Sequence, residues 1–162
     1  MDIQGLFAIQ KQLNDRIVQE HQLNEQDLFK EKLLAFLVEV GELANETRCF
    51  KYWSRKSSSE RTVILEEYVD GLHFVLTLGL SLGFENIKLK ENDSYQQSVT
   101  EQFLTIMQQT HQLDLNRTLD KYQQLADSFF VLGQLLGFSH KEIERSYLQK
   151  NKVNHQRQDA GY

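Results

Sequence analysis

A chain of 162 residues, 40% of them hydrophobic, is long enough for one domain with a real core, which excludes a disordered polypeptide. A net charge of −5 excludes a protein that coats nucleic acid, because neutralising phosphates requires a basic face. One cysteine, Cys49, excludes an intrachain disulfide and a multi-cysteine zinc site, and the lack of proline suits helices better than a turn-rich β protein.

Helical periodicity starts at once. A first helix is predicted from Asp2 to Glu20, with Leu6, Phe7, Ile9, Leu13 and Ile17 as its apolar stripe. Asn24 is the expected N-cap of a second, running from Glu25 to Thr47. Cys49–Ser59 is a polar, basic and aromatic break. Ser57 and Glu60 have capping-box spacing, so a third helix is placed from there to Leu82, with Gly83 ending it. From Leu72 onward that helix is apolar on nearly every side, which predicts burial within the domain or against another subunit. A fourth helix is expected over Ser94–Gln112. A fifth is expected over Arg117–Leu136, with Asn116 as cap and Gly137 as stop. Ser139 and Glu142 form another capping box and open a sixth, expected to run to Val153. Residues 154–162 read as a tail that becomes ordered only when it has something to hold.

Alternating strand patterns are absent. The fold class is therefore all-α, a bundle of about six helices in a single domain over 1–162. The similar endings LGLSLGF at 78–84 and VLGQLLGF at 131–138 hint at a duplicated helix pair. The most apolar run, Leu72–Leu82, is too short to cross a membrane. The N-terminus lacks the basic start and apolar run of a signal peptide, so a cytoplasmic setting without membrane or nucleic-acid partners is expected.

Two acidic pairs carry the chemistry. Glu39 and Glu42 are three apart, as are Glu67 and Asp70, so each pair shares a helix face. Such a pair is common on solvated surfaces. These four lie within apolar helices, and the i+4 positions are Leu43, Glu46, Gly71 and Phe74, none of them basic. Carboxylates beside apolar surface call for a cation. An oxygen-only set selects Mg²⁺, with Mn²⁺ as a substitute, over Zn²⁺. A di-iron bundle would want two E-x-x-H helices, and only Asp70 and His73 have that spacing. Mg²⁺ usually shares its shell with substrate phosphates, which points to phosphoanhydride hydrolysis. Cations for a polyphosphate are available at Lys51, Arg55 and Lys56, and at Lys150, Lys152 and Arg157. No Walker-type glycine-lysine sequence is present.

Taken together, these segments resemble the dimeric all-α dUTPase family of the MazG-like nucleoside triphosphate pyrophosphatases. The resemblance rests on E-V-G-E at 39–42, E-Y-V-D at 67–70 continuing as G-L-H-F, and the ending K-N-K-V-N-H-Q-R-Q-D-A-G-Y at 150–162. Q-K-Q-L-N at 10–14 and K-Y-W at 51–53 match two further family segments, so the likeness covers the whole chain. It implies a Mg²⁺-dependent homodimer that hydrolyses dUTP, and usually dUDP, to dUMP. It implies that Glu39, Glu42, Glu67 and Asp70 hold metal and that Glu42 or Glu39 is catalytic, positioning the attacking water. Gln10 and Asn14 would read the uracil edge. Phe74 would pack on base or sugar beside His73, and Trp53 would line the pocket. Lys51 or Lys56 would reach the phosphates, and Lys150, Asn154, Arg157 and Tyr162 would close over sugar and phosphates. Two alternatives stand: the same chemistry on another pyrimidine or a broader set of triphosphates, and a non-enzymatic helical interaction module.

Overall fold

The computed structural model describes residues 1–23, 27–89 and 97–161. Among them are six helices and no strand: α1 (Ile3–Glu20), α2 (Phe29–Thr47), α3 (Arg61–Leu82), α4 (Val99–Leu115), α5 (Leu119–Leu135) and α6 (His140–Asp159). The all-α bundle is as expected. No helix among the described residues is long and apolar enough to cross a membrane.

α3 is the central element and packs against α1, α2, α5 and α6. Its apolar stretch around Leu72, Val75, Leu76 and Leu78 is fully buried within the chain. That stretch therefore supplies no surface for a second subunit. The apolar residues left in solvent are elsewhere, with Leu34 and Val38 on α2 and Leu104 and Met107 on α4.

α3 and α5 run antiparallel and lock to each other reciprocally. Tyr68 on α3 donates to the Phe129 carbonyl at 3.2 Å, and Tyr122 on α5 donates to the Val75 carbonyl at 3.0 Å. Each ring occupies the space above a glycine of the other helix. A methyl on Gly133 would overlap the Tyr68 ring, and one on Gly79 would overlap Tyr122. Both helices end alike, with Gly83 and Gly137 at positive φ. Phe84 N–H then bonds back to the Gly79 carbonyl, and Phe138 N–H to Gly133, each at 2.9 Å. The spacing Tyr, Gly, Gly, Phe is the same in both helices. The buried positions of α2 (Leu33, Phe36, Val40, Leu43) also repeat in step as Phe103, Ile106, Thr110 and Leu113 of α4. The hint of a duplicated helix pair in the sequence is thus a feature of the packing.

Several helix ends differ from expectation, each for a local reason. α2 begins at Phe29; Asn24 and Glu25 lie outside the described residues. The Asp27 carboxylate accepts the Phe29 N–H at 3.2 Å, and Arg117 stacks 4.0 Å over the Phe29 ring. The Ser57–Glu60 box does not form. Instead the hydroxyl of Ser59 is taken by the Glu46 carboxylate and its N–H by the Glu46 carbonyl, which holds the segment extended until Arg61. α4 starts at Val99 on a Ser98–Glu101 capping box, while Ser94 lies outside the described residues. Asn116 terminates α4, and Thr118 caps α5. The Ser139–Glu142 box forms as predicted.

The largest correction concerns the C-terminus. α6 does not stop at Val153 but continues to Asp159. Arg16 of α1 holds these last turns, donating to the His155 carbonyl at 3.1 Å and pairing with Asp159 at 2.6 Å. His21 adds a 3.1 Å contact to Gln158. Polar contacts from a distant helix stabilise a segment that has no apolar stripe of its own.

Candidate active site

The acidic pairs meet where α2 lies on α3. One carboxylate oxygen from each of Glu39, Glu67 and Asp70 falls within 4.8 Å of the others. Two oppositely sourced pairs converge because α2 and α3 form the most extensive helix contact in the bundle. Glu42 stands outside this trio and is exposed, although its charge still acts on Glu39 and Glu67. In the repeated helix pair the corresponding positions are Gln109, Gln112, Lys121 and Gln124, so the acidic cluster occurs once.

Crowding is visible in the titration of the group. Burial, followed by the charges of Asp70, Glu42 and Glu67, pushes Glu39 up to about 7. Burial and the neighbouring carboxylates also raise Glu67. Burial raises Asp70 despite an opposing hydrogen bond from Lys150. Lys150 is the local counter-charge, with its ammonium 2.6 Å from Asp70 and 3.1 Å from Glu66. It is itself largely enclosed, at 12% side-chain exposure. The set fits a hard divalent cation on two grounds: all donors are carboxylate oxygens, and they come from two packed helices.

The cluster opens into a cavity of ≈ 580 Å³ between α1, α2, α3 and α6, a size suited to a small organic ligand. Glu39 and Asp70 lie on its wall, together with Gln10, Asn14, His73, Phe74, Asn154 and Arg157. The wall also carries apolar residues, among them Leu13, Ile17, Leu28 and Ala35, together with the charged Glu31 and Lys32. Eight of the residues singled out in the sequence are therefore brought to one space. Gln10 is not a surface residue, at 3% exposure, because α3 and α6 cover that face of α1. Lys150 lies on an adjacent groove between α3 and α6.

Trp53, Lys51 and Lys56 are not on the cavity wall. Trp53 is 65% exposed and packs edge-on against Tyr52 at 5.0 Å. Lys51 bonds to the Asn45 side chain, and Lys56 is exposed. Tyr162 lies outside the described residues. Sequence reasoning assigned no role to Thr77 and Tyr147, which prove to be bonded to the cavity's polar side chains. A threonine inside an otherwise apolar helix was the available signal.

A helical bundle that gathers carboxylates at the mouth of a ligand-sized cavity has the layout of a metal-assisted hydrolase. A family model described as dUTPase matches residues 2–162, and the chain belongs to that family, whose members hydrolyse dUTP. A search among curated proteins finds no match.

Proposed function

We propose that the protein is a Mg²⁺-dependent dUTP pyrophosphohydrolase, releasing dUMP and pyrophosphate, and that it also takes dUDP. The observation that carries this reading is the Glu39–Glu67–Asp70 cluster, two of whose carboxylates line a cavity of ligand size. Glu39, Glu67 and Asp70, joined by Glu42, would hold the ion, with Mn²⁺ as a substitute. Bound there, the metal supplies charge neutralisation to the phosphate oxygens.

The chain's own groups do the rest. Glu42 makes no hydrogen bond or ion pair among the described residues, so it is available to orient the attacking water. Glu39 is the second choice, as the cluster carboxylate that also lines the cavity beside Asp70. Phe74 offers a face to base or sugar. Asn14 and His73 offer polar atoms to the base, and Gln10 holds both of them. Lys150, Asn154 and Arg157 come from one helix, and with Tyr162 they would cover sugar and phosphates. Trp53, Lys51 and Lys56 would contribute only if their loop, or a second subunit's, reaches the cavity.

The dimer belongs to the same proposal. Leu34 at 63% exposure and Leu104 at 62%, with Val38 and Met107, are apolar residues left exposed on α2 and α4. Light scattering at micromolar concentration should give the mass of two chains; a monomer would remove this part. The activity test is a nucleotide panel assayed with Mg²⁺ and again with chelator. Turnover confined to dUTP and dUDP, and lost with chelator, is expected. Equal turnover of dCTP or dTTP would make this a broader pyrophosphohydrolase. No turnover of any nucleotide would contradict an enzyme.

A further inference from the structure

The buried polar side chains on the cavity wall form one hydrogen-bonded chain, and that chain has a direction. The Tyr147 hydroxyl donates to Gln10 Oε1 at 2.6 Å. His73 Nδ1 lies 2.7 Å from the same oxygen. At the other end of the amide, Gln10 Nε2 donates to Asn14 Oδ1 at 2.9 Å and to Thr77 Oγ1 at 3.1 Å. The Thr77 hydroxyl in turn donates to Asn14 Oδ1 at 3.2 Å. Gln10, His73, Thr77 and Tyr147 are all buried, so water does not repair a wrong choice of donor and acceptor.

One residue settles the direction. A phenol carries a single proton and gives it more readily than it accepts one, and burial pushes the Tyr147 hydroxyl further from ionisation. Facing Tyr147, Gln10 must present its oxygen. His73, stacked on the Tyr147 ring at 4.3 Å and 22°, must then carry its proton on Nδ1. Its Nε2 is left as a bare acceptor. That atom is buried without a partner among the described residues, and His73 borders the cavity. A buried acceptor left unpaired is costly unless a ligand brings a donor. Asn14 is the complement. Its Oδ1 is taken by two donors, so Nδ2 is what remains for a ligand.

We propose that Tyr147 is a positioning residue for base selection: through Gln10 it fixes His73 Nε2 as an acceptor and, with Thr77, fixes Asn14 Nδ2 as a donor, a pair that matches a cyclic imide edge. This rests on the dUTP reading. An imide edge offers an N–H beside carbonyls, and both wall atoms are satisfied. An aminopyrimidine edge offers a bare ring nitrogen beside an amino group, and the bare nitrogen faces the His73 lone pair. Neither Tyr147 nor Thr77 need touch the base for this to work.

The test has two arms. In ¹⁵N-histidine-labelled protein without ligand, with His73 assigned by the resonance lost in His73→Asn, wild type should show the Nδ1–H tautomer at His73. Tyr147→Phe should shift it toward Nε2–H. In steady-state assays Tyr147→Phe should lower the dUTP-to-dCTP ratio of kcat/KM about tenfold, chiefly through the KM for dUTP, the size expected for one buried hydrogen bond. Thr77→Val should lower the same ratio, and Thr77→Ser should restore it. An Nε2–H tautomer in wild type overturns the proposal, as does an unchanged nucleotide ratio in both Tyr147→Phe and Thr77→Val. If wild type hydrolyses no dUTP, the functional reading fails while the tautomer arm still decides the polarity of the wall.

Discussion

Glu67→Gln is expected to lower dUTP hydrolysis by on the order of 10²–10³-fold or more and, in protein stripped of divalent ions, to raise the melting temperature by about 2–4 °C. Both effects come from the same crowding. Glu67 shares a 4.8 Å space with Glu39 and Asp70, and burial, followed by the charges of Asp70 and Glu42, raises its pKa. Without an ion, one fewer negative charge relieves repulsion that Lys150 only partly offsets. With an ion, the same change removes a ligand atom. Activity and stability should therefore move in opposite directions, a pattern that general unfolding cannot produce. Thermal melts with chelator, set beside initial rates with Mg²⁺, check it. A variant that loses both stability and activity would mean that Glu67 holds the fold and not the ion.

Divalent-ion affinity should fall about fivefold between pH 7 and pH 6, as the protonated fraction of one ligand carboxyl rises from about half to about nine-tenths and the ion must displace that proton. The group responsible is Glu39, which titrates at about 7 in the folded chain, well above its usual 4.5. The effect on folding has the opposite sign. Between about pH 4.5 and 7 the folded state keeps a proton that the unfolded state has released. Ion-free protein thus loses stability as pH rises through that window and regains it as pH falls. Mg²⁺ should reverse the trend, stabilising most above pH 7, where the carboxylates are ionised. Melting curves across pH 5 to 8, with and without the ion, display both slopes. An ion-induced shift that is flat over that range would contradict Glu39 as a ligand.

Much of this site was legible from local chemistry. Glu39 with Glu42 and Glu67 with Asp70 stood out because carboxylates within apolar helices, lacking a basic i+4 neighbour, need a partner from elsewhere. The partner was not legible. Lys150 reaches Asp70 from α6, and no spacing rule connects residues so far apart in the chain. The same limit hid the burial of Gln10, which depends on α3 and α6 covering one side of α1. Capping signals worked where the serine was free to cap, as at Ser139, and failed at Ser57, where Ser59 was bound to Glu46. The helical run through residues 154–159 was not legible because its holding contact comes from Arg16, on α1. Trp53 was assigned to the pocket by likeness; in this chain it is exposed and off the cavity wall.

The most direct measurement is an electron paramagnetic resonance titration of Mn²⁺ into ion-stripped protein at pH 8, following the signal of free Mn²⁺. Wild type should deplete that signal stoichiometrically, Mg²⁺ should restore it by competition, and Asp70→Asn should leave it unchanged. Equal depletion by wild type and by Asp70→Asn would contradict a metal centre at the meeting of α2 and α3.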